Sequence, residues 1–364
     1  MKNLPALLLI PDISGFTKFV NQTAQEHSRH IISELLEIII KAGKPELEIA
    51  EIEGDAVFFY KLDATNIFEF VINKAKKIFI DFHQHLLLYE NRRVCNCGAC
   101  STAVNLNVKI IAHFGNIGFI EVGKKKKPFG KNIILIHKLL KNSINSEGYL
   151  LLTNAFENYE CKEEEWFRPE KGNTFYKDIG NIPYIYSSLN ILKRNLSPIT
   201  SLNNLKKINK PIVVSSSLPC KYDEVFESIA NLDRRAKWQK SVDALKYDRK
   251  AMNRVGSSHI CVIGNNEIEI ETLSKESDKN KIVFGEKTKY IPLVREMSTY
   301  YIIESQSENQ SKIYIEVHYV PHPIIGKLIF PIFRKIMKKN LDTLLIDIDN
   351  YCRKSSRDDI DIIS

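Results

Sequence analysis

The sequence predicts an α+β fold arranged as two consecutive domains, and three observations carry that prediction. The chain has 364 residues, more than one ordinary domain needs. Two short stretches, Ile10-Pro11-Asp12-Ile13-Ser14-Gly15-Phe16-Thr17 and Glu51-Ile52-Glu53-Gly54-Asp55-Ala56-Val57-Phe58-Phe59, each place one carboxylate at the tip of a strand. A polar, aperiodic segment from Leu192 to Lys210, rich in Ser, Asn and Lys, then separates two patterned halves and reads as a linker. The expected domains are residues 1–191 and 211–354, with 192–210 between them and a charged, loose tail over 355–364.

In the first half, the apolar run Ala6 to Ile10 reads as a buried strand, and Ser14-Gly15 breaks it into a helix. From His30 to Lys41, Ile31, Leu35, Ile38 and Ile39 recur at helical spacing, and Gly43 and Pro45 stop the pattern. Leu47 to Ile52 alternates, and Ala56 to Tyr60 returns from a Gly54-Asp55 turn, a hairpin signal. Phe68 to Leu88 is a long amphipathic helix. Leu106 to Ala112 is a strand ending in His113-Phe114-Gly115, and Phe119 to Val122 pairs back. Gly148 to Asn154 and Phe175 to Ser187 close the domain as two strands. Brought together on adjacent strands, Asp12 and Asp55 can hold a hard divalent ion against a triphosphate. Each also suits a helix N-cap or a turn.

Asp-Ile-Ser-Gly-Phe-Thr at 12–17, followed by Glu-Ile-Glu-Gly-Asp-Ala at 51–56, resembles the catalytic domain of class III nucleotidyl cyclases, the adenylyl and guanylyl cyclase family. The resemblance spans about residues 1 to 190 and implies a ferredoxin-like core. It implies that Asp12 and Asp55 bind two Mg2+ or Mn2+ ions and that the Ile13 carbonyl also touches metal. It implies that Gly15, Phe16 and Thr17 offer backbone N–H groups to phosphate at a helix start. Phe129 to Leu140 stands where that family has a helix carrying an Asn and, one turn later, an Arg. Alignment on Gly130 puts Ile134 and Lys138 at those positions. Lys138 supplies charge without the bidentate fork of Arg, and Ile134 supplies nothing polar. Glu51 falls at the base-reading position, where a carboxylate accepts from guanine's N1–H and N2–H2 edge. Lys127, at the partner position, matches neither cyclase class, and Glu51 equally suits a polar position on an alternating strand. The resemblance therefore implies a nucleoside triphosphate partner, weak or lost cyclisation, and a homodimer whose sites are shared between two chains.

From Pro211 a second pattern begins. Ile212 to Ser217 is a strand, Pro219 to Leu232 a helix, and Trp238 falls in a second short helix. Strands follow at His259 to Ile263, Glu267 to Leu273, Lys281 to Thr288, Glu296 to Glu304 and Ser311 to Val320, and Ile324 to Cys352 is a long amphipathic helix. This order resembles the START-like helix-grip fold of polyketide cyclases and lipid-carrying START domains. The resemblance implies an apolar cavity between sheet and long helix, and hence a hydrophobic small molecule or lipid as partner. Phe226, Trp238, Phe284, Tyr300, Phe330 and Phe333 are its candidate lining, or else ordinary core. Two functions follow: a cyclase-like domain that binds metal and nucleotide, or a ligand-binding START-like protein whose first domain only dimerises or regulates. The pairing of the two suggests a sensor.

Hydrophobic content of 44% and charged content of 26% are ordinary for a globular protein. The chain carries no uninterrupted apolar span and no secretory signal at its start, so a cytoplasmic location is expected. The net charge of +8 has its focus in Lys124-Lys125-Lys126-Lys127, which reads as a solvated loop. Without interleaved aromatics it does not point to nucleic acid. The count of 7 cysteines is odd and argues against a disulfide framework. Cys95, Cys97 and Cys100 are clustered and could converge on Zn2+, with Cys161 or His113 as a fourth ligand, or form a metal-free loop.

Overall fold

A computed structural model describes residues 3–23, 25–62, 65–94, 97–157, 164–199, 211–249, 251–288, 294–321 and 326–361. The chain forms two compact units. One comprises residues 1–90 and 97–199, the other 91–96 and 200–364. The small segment joins the second unit because the Arg92 carbonyl accepts the Val255 N–H at 2.9 Å and Arg93 bridges Arg254.

The first unit is built on strand β1 (Leu4–Ser14), whose residues Ala6 to Ile10 are all buried. A strand covered on both faces reads as a continuous apolar run, which is why Ala6-Leu7-Leu8-Leu9-Ile10 does not alternate. Helices α1 (Phe16–Gln22) and α2 (Gln25–Gly43) follow, then the hairpin β2 (Glu48–Glu53) and β3 (Ala56–Leu62). Helix α3 (Ile67–Asn91) buries Phe68, Val71, Ile72, Ala75, Ile78, Phe79, Phe82 and Leu86, one stripe at helical spacing. A short helix α4 (Gly98–Thr102) leads into β4 (Asn107–Val122) and β5 (Lys125–Phe129), helix α5 (Lys131–Leu139), and strands β6 (Tyr149–Thr153), β7 (Glu170–Tyr176) and β8 (Gly180–Ser188). The sheet order is β2-β3-β1-β4-β6-β8-β7, with β5 paired to β4. β4 and β6 run parallel and the remaining pairs are antiparallel. Ile136 and Leu139 of α5 bury against Ala6, Leu8, Ile10, Phe58 and Ile111 on one face of the sheet.

Three sequence expectations change here. β4 does not end at His113-Phe114-Gly115. It pairs with β1 over its first eleven residues, from Asn107 opposite Ser14 to Ile117 opposite Leu4, and that ladder carries it through the glycine. The lysine run is not a loop: Lys125 to Lys127 lie in β5, with Lys127 opposite Ile120. Lys126 Nζ sits 4.5 Å from the centre of the Phe119 ring, so its stem covers apolar surface. The stretch Phe175 to Ser187 is not one strand, because a turn at Gly180 divides β7 from β8.

The second unit contains β9 (Ile212–Leu218), helices α6 (Tyr222–Ala230) and α7 (Leu232–Trp238), and strands β10 (Ala244–Lys246), β11 (Ser258–Ile263), β12 (Asn266–Asp278), β13 (Lys281–Thr288), β14 (Val294–Ser307) and β15 (Gln310–Pro321). The strands form an antiparallel sheet in the order β10-β11-β12-β13-β14-β15-β9. Helix α8 (Gly326–Asp361) packs on β9 and β15 and touches α6 and α7. The tail expected to be loose is helical as far as Asp361. No Gly or Pro after Pro331 stops the helix, and the Arg353–Asp349 pair, 2.9 Å apart, braces its last described turns. Of the expected linker, Leu192 to Asn195 lie in a 3-10 turn and 200–210 fall outside the described residues.

Candidate functional site

The two motif carboxylates meet at one end of the first sheet. Asp12 lies near the end of β1, opposite Ala56 of β3 on one side and Lys109 of β4 on the other. Asp55 occupies the β2–β3 turn beside Gly54, whose φ is +62°. The Ile13 N–H donates to the Asp55 carbonyl at 3.0 Å, so backbone fixes the turn against β1. Within an extended strand a residue's N–H and C=O point to the same side. The Ile13 carbonyl therefore points toward the Asp55 turn, away from β4.

Burial dominates the electrostatics. It pushes the Asp12 carboxyl up to about 6, partly offset by Lys109 and reinforced by the Asp55 charge. Burial also raises Asp55 above the usual carboxylate range. Lys109 Nζ lies 3.7 Å from Asp12 Oδ1 and donates to the Leu140 carbonyl at 3.0 Å. Each carboxylate is thus short of positive charge, which two hard oxygen ligands can draw from a divalent cation. Lys109 was not among the sequence candidates. Its signal was a lone lysine in the apolar run Val108-Lys109-Ile110-Ile111.

Around this pair the other candidates fall on neighbouring elements. Gly15 takes φ +86°, the left-handed region that favours glycine, and its carbonyl accepts the Phe19 N–H at 2.9 Å. Phe16 and Thr17 open α1 directly behind it, with Gly15 and Thr17 exposed. Glu51 and Lys127 are brought together: Lys127 Nζ donates to Glu51 Oε1 at 3.0 Å, across β2 and β5. Lys138, in the last turn of α5, donates to Asp178 at 2.7 Å. Asp178, on the β7–β8 turn, is held below its usual range chiefly by that hydrogen bond. His137, which precedes Lys138 in α5, lies 3.3 Å from Glu53 and meets the Phe58 ring edge-on at 5.0 Å. Ile134 is 56% exposed.

The cysteine cluster is rearranged relative to expectation. His113 is not near it: its Nδ1 pairs with Thr153 Oγ1 at 2.8 Å and its Nε2 with Asn132 Oδ1 at 3.1 Å. Cys95 and Cys161 lie outside the described residues. Cys97 and Cys100 instead meet His27 of α2. His27 was missed because a single histidine near a helix start, 70 residues from the cysteines, carries no spacing signal.

In the second unit, Phe226, Trp238 and Phe284 are buried. The Phe226 and Phe284 rings meet edge-on at 6.0 Å, and Trp238 Nε1 donates to the Ser228 carbonyl at 2.7 Å. Tyr300 does not share their face. It stands opposite Gly285, whereas Phe284 stands opposite Tyr301 and stacks on it at 6.1 Å. Alternation therefore turns Tyr300 to the other side, where its ring lies 5.3 Å from His318. Phe333 is half-buried and meets Tyr319 at 5.8 Å, and the Phe330 side chain lies outside the described residues. The Phe284 face also carries a buried charged group that no sequence pattern announced. Arg235 Nη1 donates to Glu286 Oε1 at 2.6 Å, its Nη2 to the Tyr301 hydroxyl at 3.2 Å, and its Nε to Gln239 Oε1 at 2.7 Å.

Among the described residues no helix is long and apolar enough to cross a membrane. A family model described as "Protein of unknown function (DUF2652)" matches residues 32–149. An uncharacterized protein of Mycobacterium tuberculosis, Rv2561/Rv2562, is 29% identical over 133 residues, which are 36% of this chain. The match spans 61% of that relative's length. Among solved structures, the catalytic core of a rhodopsin-guanylyl cyclase in complex with ATPalphaS is similar over 51% of this chain and 96% of its own, at 12% identity and TM-score 0.39. The non-canonical dimeric guanylyl cyclase domain of the RhoGC fusion protein from Blastocladiella emersonii covers 51% of this chain and 98% of its own, at 13% identity and TM-score 0.36.

Proposed function

We propose that the first unit is a divergent class III nucleotidyl cyclase-like domain that binds a nucleoside triphosphate with Mg2+ or Mn2+ and turns it over weakly or not at all. The second unit, in this reading, is a START-like domain for a hydrophobic small molecule or lipid. The observation that carries the nucleotide reading is the pairing of Asp12 and Asp55 at one sheet end, with a backbone bond locking their two segments together. Asp12, Asp55 and the Ile13 carbonyl are a hard-oxygen donor set, and both carboxyls are raised by burial, so the residues fit a divalent cation. When bound, that ion supplies charge neutralisation for the phosphates. Gly15, Phe16 and Thr17 would present backbone N–H groups to the same phosphates, and Lys109 would hold Asp12 in place from the β4 side.

Two observations favour weak turnover. Lys138, which stands at the Arg position of the α5 alignment, is engaged by Asp178. Glu51 and Lys127, the base-reading candidates, satisfy each other. A homodimer is part of the proposal, with the site of one chain completed by α5 of its partner. Ile52, Phe129 and Ile134 are 52%, 58% and 56% exposed on β2, β5 and α5, and such apolar surface suits a second copy. Calorimetry with Mn2+ and each nucleoside triphosphate tests the reading, alongside mass spectrometry for cyclic product. Binding should need Mn2+ and disappear in Asp55→Ala; equal affinity in wild type and variant refutes the site. A chain that dimerises but binds no nucleotide would instead support the alternative, in which the first unit is a dimerisation or regulatory module.

A further inference from the structure

The geometry points to a zinc site formed by His27, Cys97 and Cys100, in which the ion ties the start of α2 to the segment that opens α4. His27 and Cys100 are 7% and 2% exposed, and Cys97 is half-buried. His27 Nδ1 lies 3.2 Å from Cys97 Sγ and 3.6 Å from Cys100 Sγ. All three ligand atoms fall within 4.8 Å of one another.

These separations can be compared with a tetrahedral ion. Zn–N of ~2.0–2.1 Å and Zn–S of ~2.3 Å at the tetrahedral angle put N and S about 3.6 Å apart and two sulfurs about 3.8 Å apart. The two N–S separations, 3.2 and 3.6 Å, are already near the first of these distances, and the two sulfurs lie within 4.8 Å of each other. Two sulfurs converge on the one nitrogen His27 Nδ1. A cation among them would engage all three atoms, and two thiolates neutralise a divalent charge. The local backbone is also suited to thiolate. Cys97 caps α4, and the Cys100 N–H points back at Cys97 Sγ at 3.5 Å, the sulfur-accepting turn that a Cys-x-x-Cys pair makes around an ion.

The three described ligands leave one tetrahedral position for a further donor. The consequence of the site is mechanical. α4 packs on both α1 and α2, and α1 begins at the Gly15 turn. The ion would staple α4, a single turn that buries only Ala99 and Cys100, to the start of the longer α2.

The full chain, expressed with zinc and purified without chelator, should carry about one zinc per chain by plasma mass spectrometry. Co2+ substitution should give the ultraviolet thiolate-to-metal charge-transfer band, weakened by about half in Cys100→Ser. His27→Gln and Cys97→Ser should each lower zinc affinity more than the ~10–100-fold seen for changes outside the ligand shell. If a cysteine variant fails to fold, alkylation of the wild type decides: zinc should protect Cys97 and Cys100 on peptide mapping, and chelation should expose them. Wild type free of zinc with no cobalt band overturns the proposal, as does full zinc retention in all three variants or equal alkylation with and without chelator. The readouts involve no nucleotide, so they stand or fall apart from the cyclase-like reading.

Discussion

Replacing Asp12 by Asn should make the nucleotide-free protein more stable above pH 6, while removing its ability to bind Mn2+. The Asp12 carboxyl is raised from 3.8 to about 6, with the attraction of Lys109 already counted. A shift of roughly 2 units, at 1.36 kcal/mol each, means that ionising this group costs the folded state about 3 kcal/mol relative to the unfolded chain. Because the folded pKa lies above the unfolded one, the folded chain holds the extra proton between pH 3.8 and about 6. Its contribution to stability is complete below that window and is lost as pH rises through it. Asn keeps the shape of the protonated acid without the charge, so Asp12→Asn should gain about 1–3 kcal/mol at pH 7.5 and nothing at pH 3.5. His83 and His259, both pushed down to about 4 by burial, act in the opposite sense, losing stability as pH falls from 6.5 toward 4. The informative quantity is therefore the difference between variant and wild type in urea denaturation across pH 3.5–8, in which those histidines cancel. Calorimetry on the same samples should show Mn2+ affinity in the wild type rising through pH 6 and absent in the variant. A pH-independent difference, or an Asn variant that still binds Mn2+, would refute the account of this site.

Arg235→Met leaves Glu286 charged and buried in the second unit, and the loss should be about 3–5 kcal/mol by thermal or urea unfolding. Arg235→Met with Glu286→Leu should recover most of it, and a single variant as stable as wild type would show the pair to be hydrated. Gly43→Ala would put a methyl 2.7 Å from Phe59 Cζ, against a ring that is fully buried, and should cost about 1–3 kcal/mol in the first unit. A change within experimental error would mean that α2 can shift off the sheet. Asp178→Ala should release Lys138 and raise Mn2+-nucleotide affinity by roughly 2–5-fold, the scale of an exposed ion pair. Lys138→Ala should lower it. Equal affinity in both would remove Lys138 from the phosphate-facing role.

The sequence was most legible where burial imposes periodicity. β1, α3 and the β2–β3 hairpin follow from apolar runs, helical stripes and a Gly-Asp turn, and Asp12 and Asp55 fall at strand tips because those turns are locally encoded. The strand runs of the second unit were equally plain, since antiparallel strands alternate and are separated by turn residues. Legibility failed where partners are distant. The Lys138–Asp178 and Arg235–Glu286 pairs join residues 40 and 51 positions apart, and no local pattern links them. Tyr300 and Tyr301 illustrate a finer limit. Both are aromatic and buried, and only the register against Gly285 and Phe284 decides which of them faces Phe226. The lysine run misled because exposed charge was read as a loop, whereas an exposed strand such as β5 needs only an edge of β4 to pair with.

The bond from the Ile13 amide to the Asp55 carbonyl gives the site a built-in reporter. Its two ends belong to the two segments that carry the carboxylates, and it joins backbone to backbone, from the end of β1 to the β2–β3 turn, without any side chain. An ion or phosphate that draws those segments together by a tenth of an ångström changes this one hydrogen bond, whatever the ligand's identity. In a 15N-labelled sample the Ile13 resonance should therefore move with occupancy before any chemistry occurs, and its exchange with solvent should slow in step. One amide would then allow a library of ligands to be screened against this chain without an assay for product.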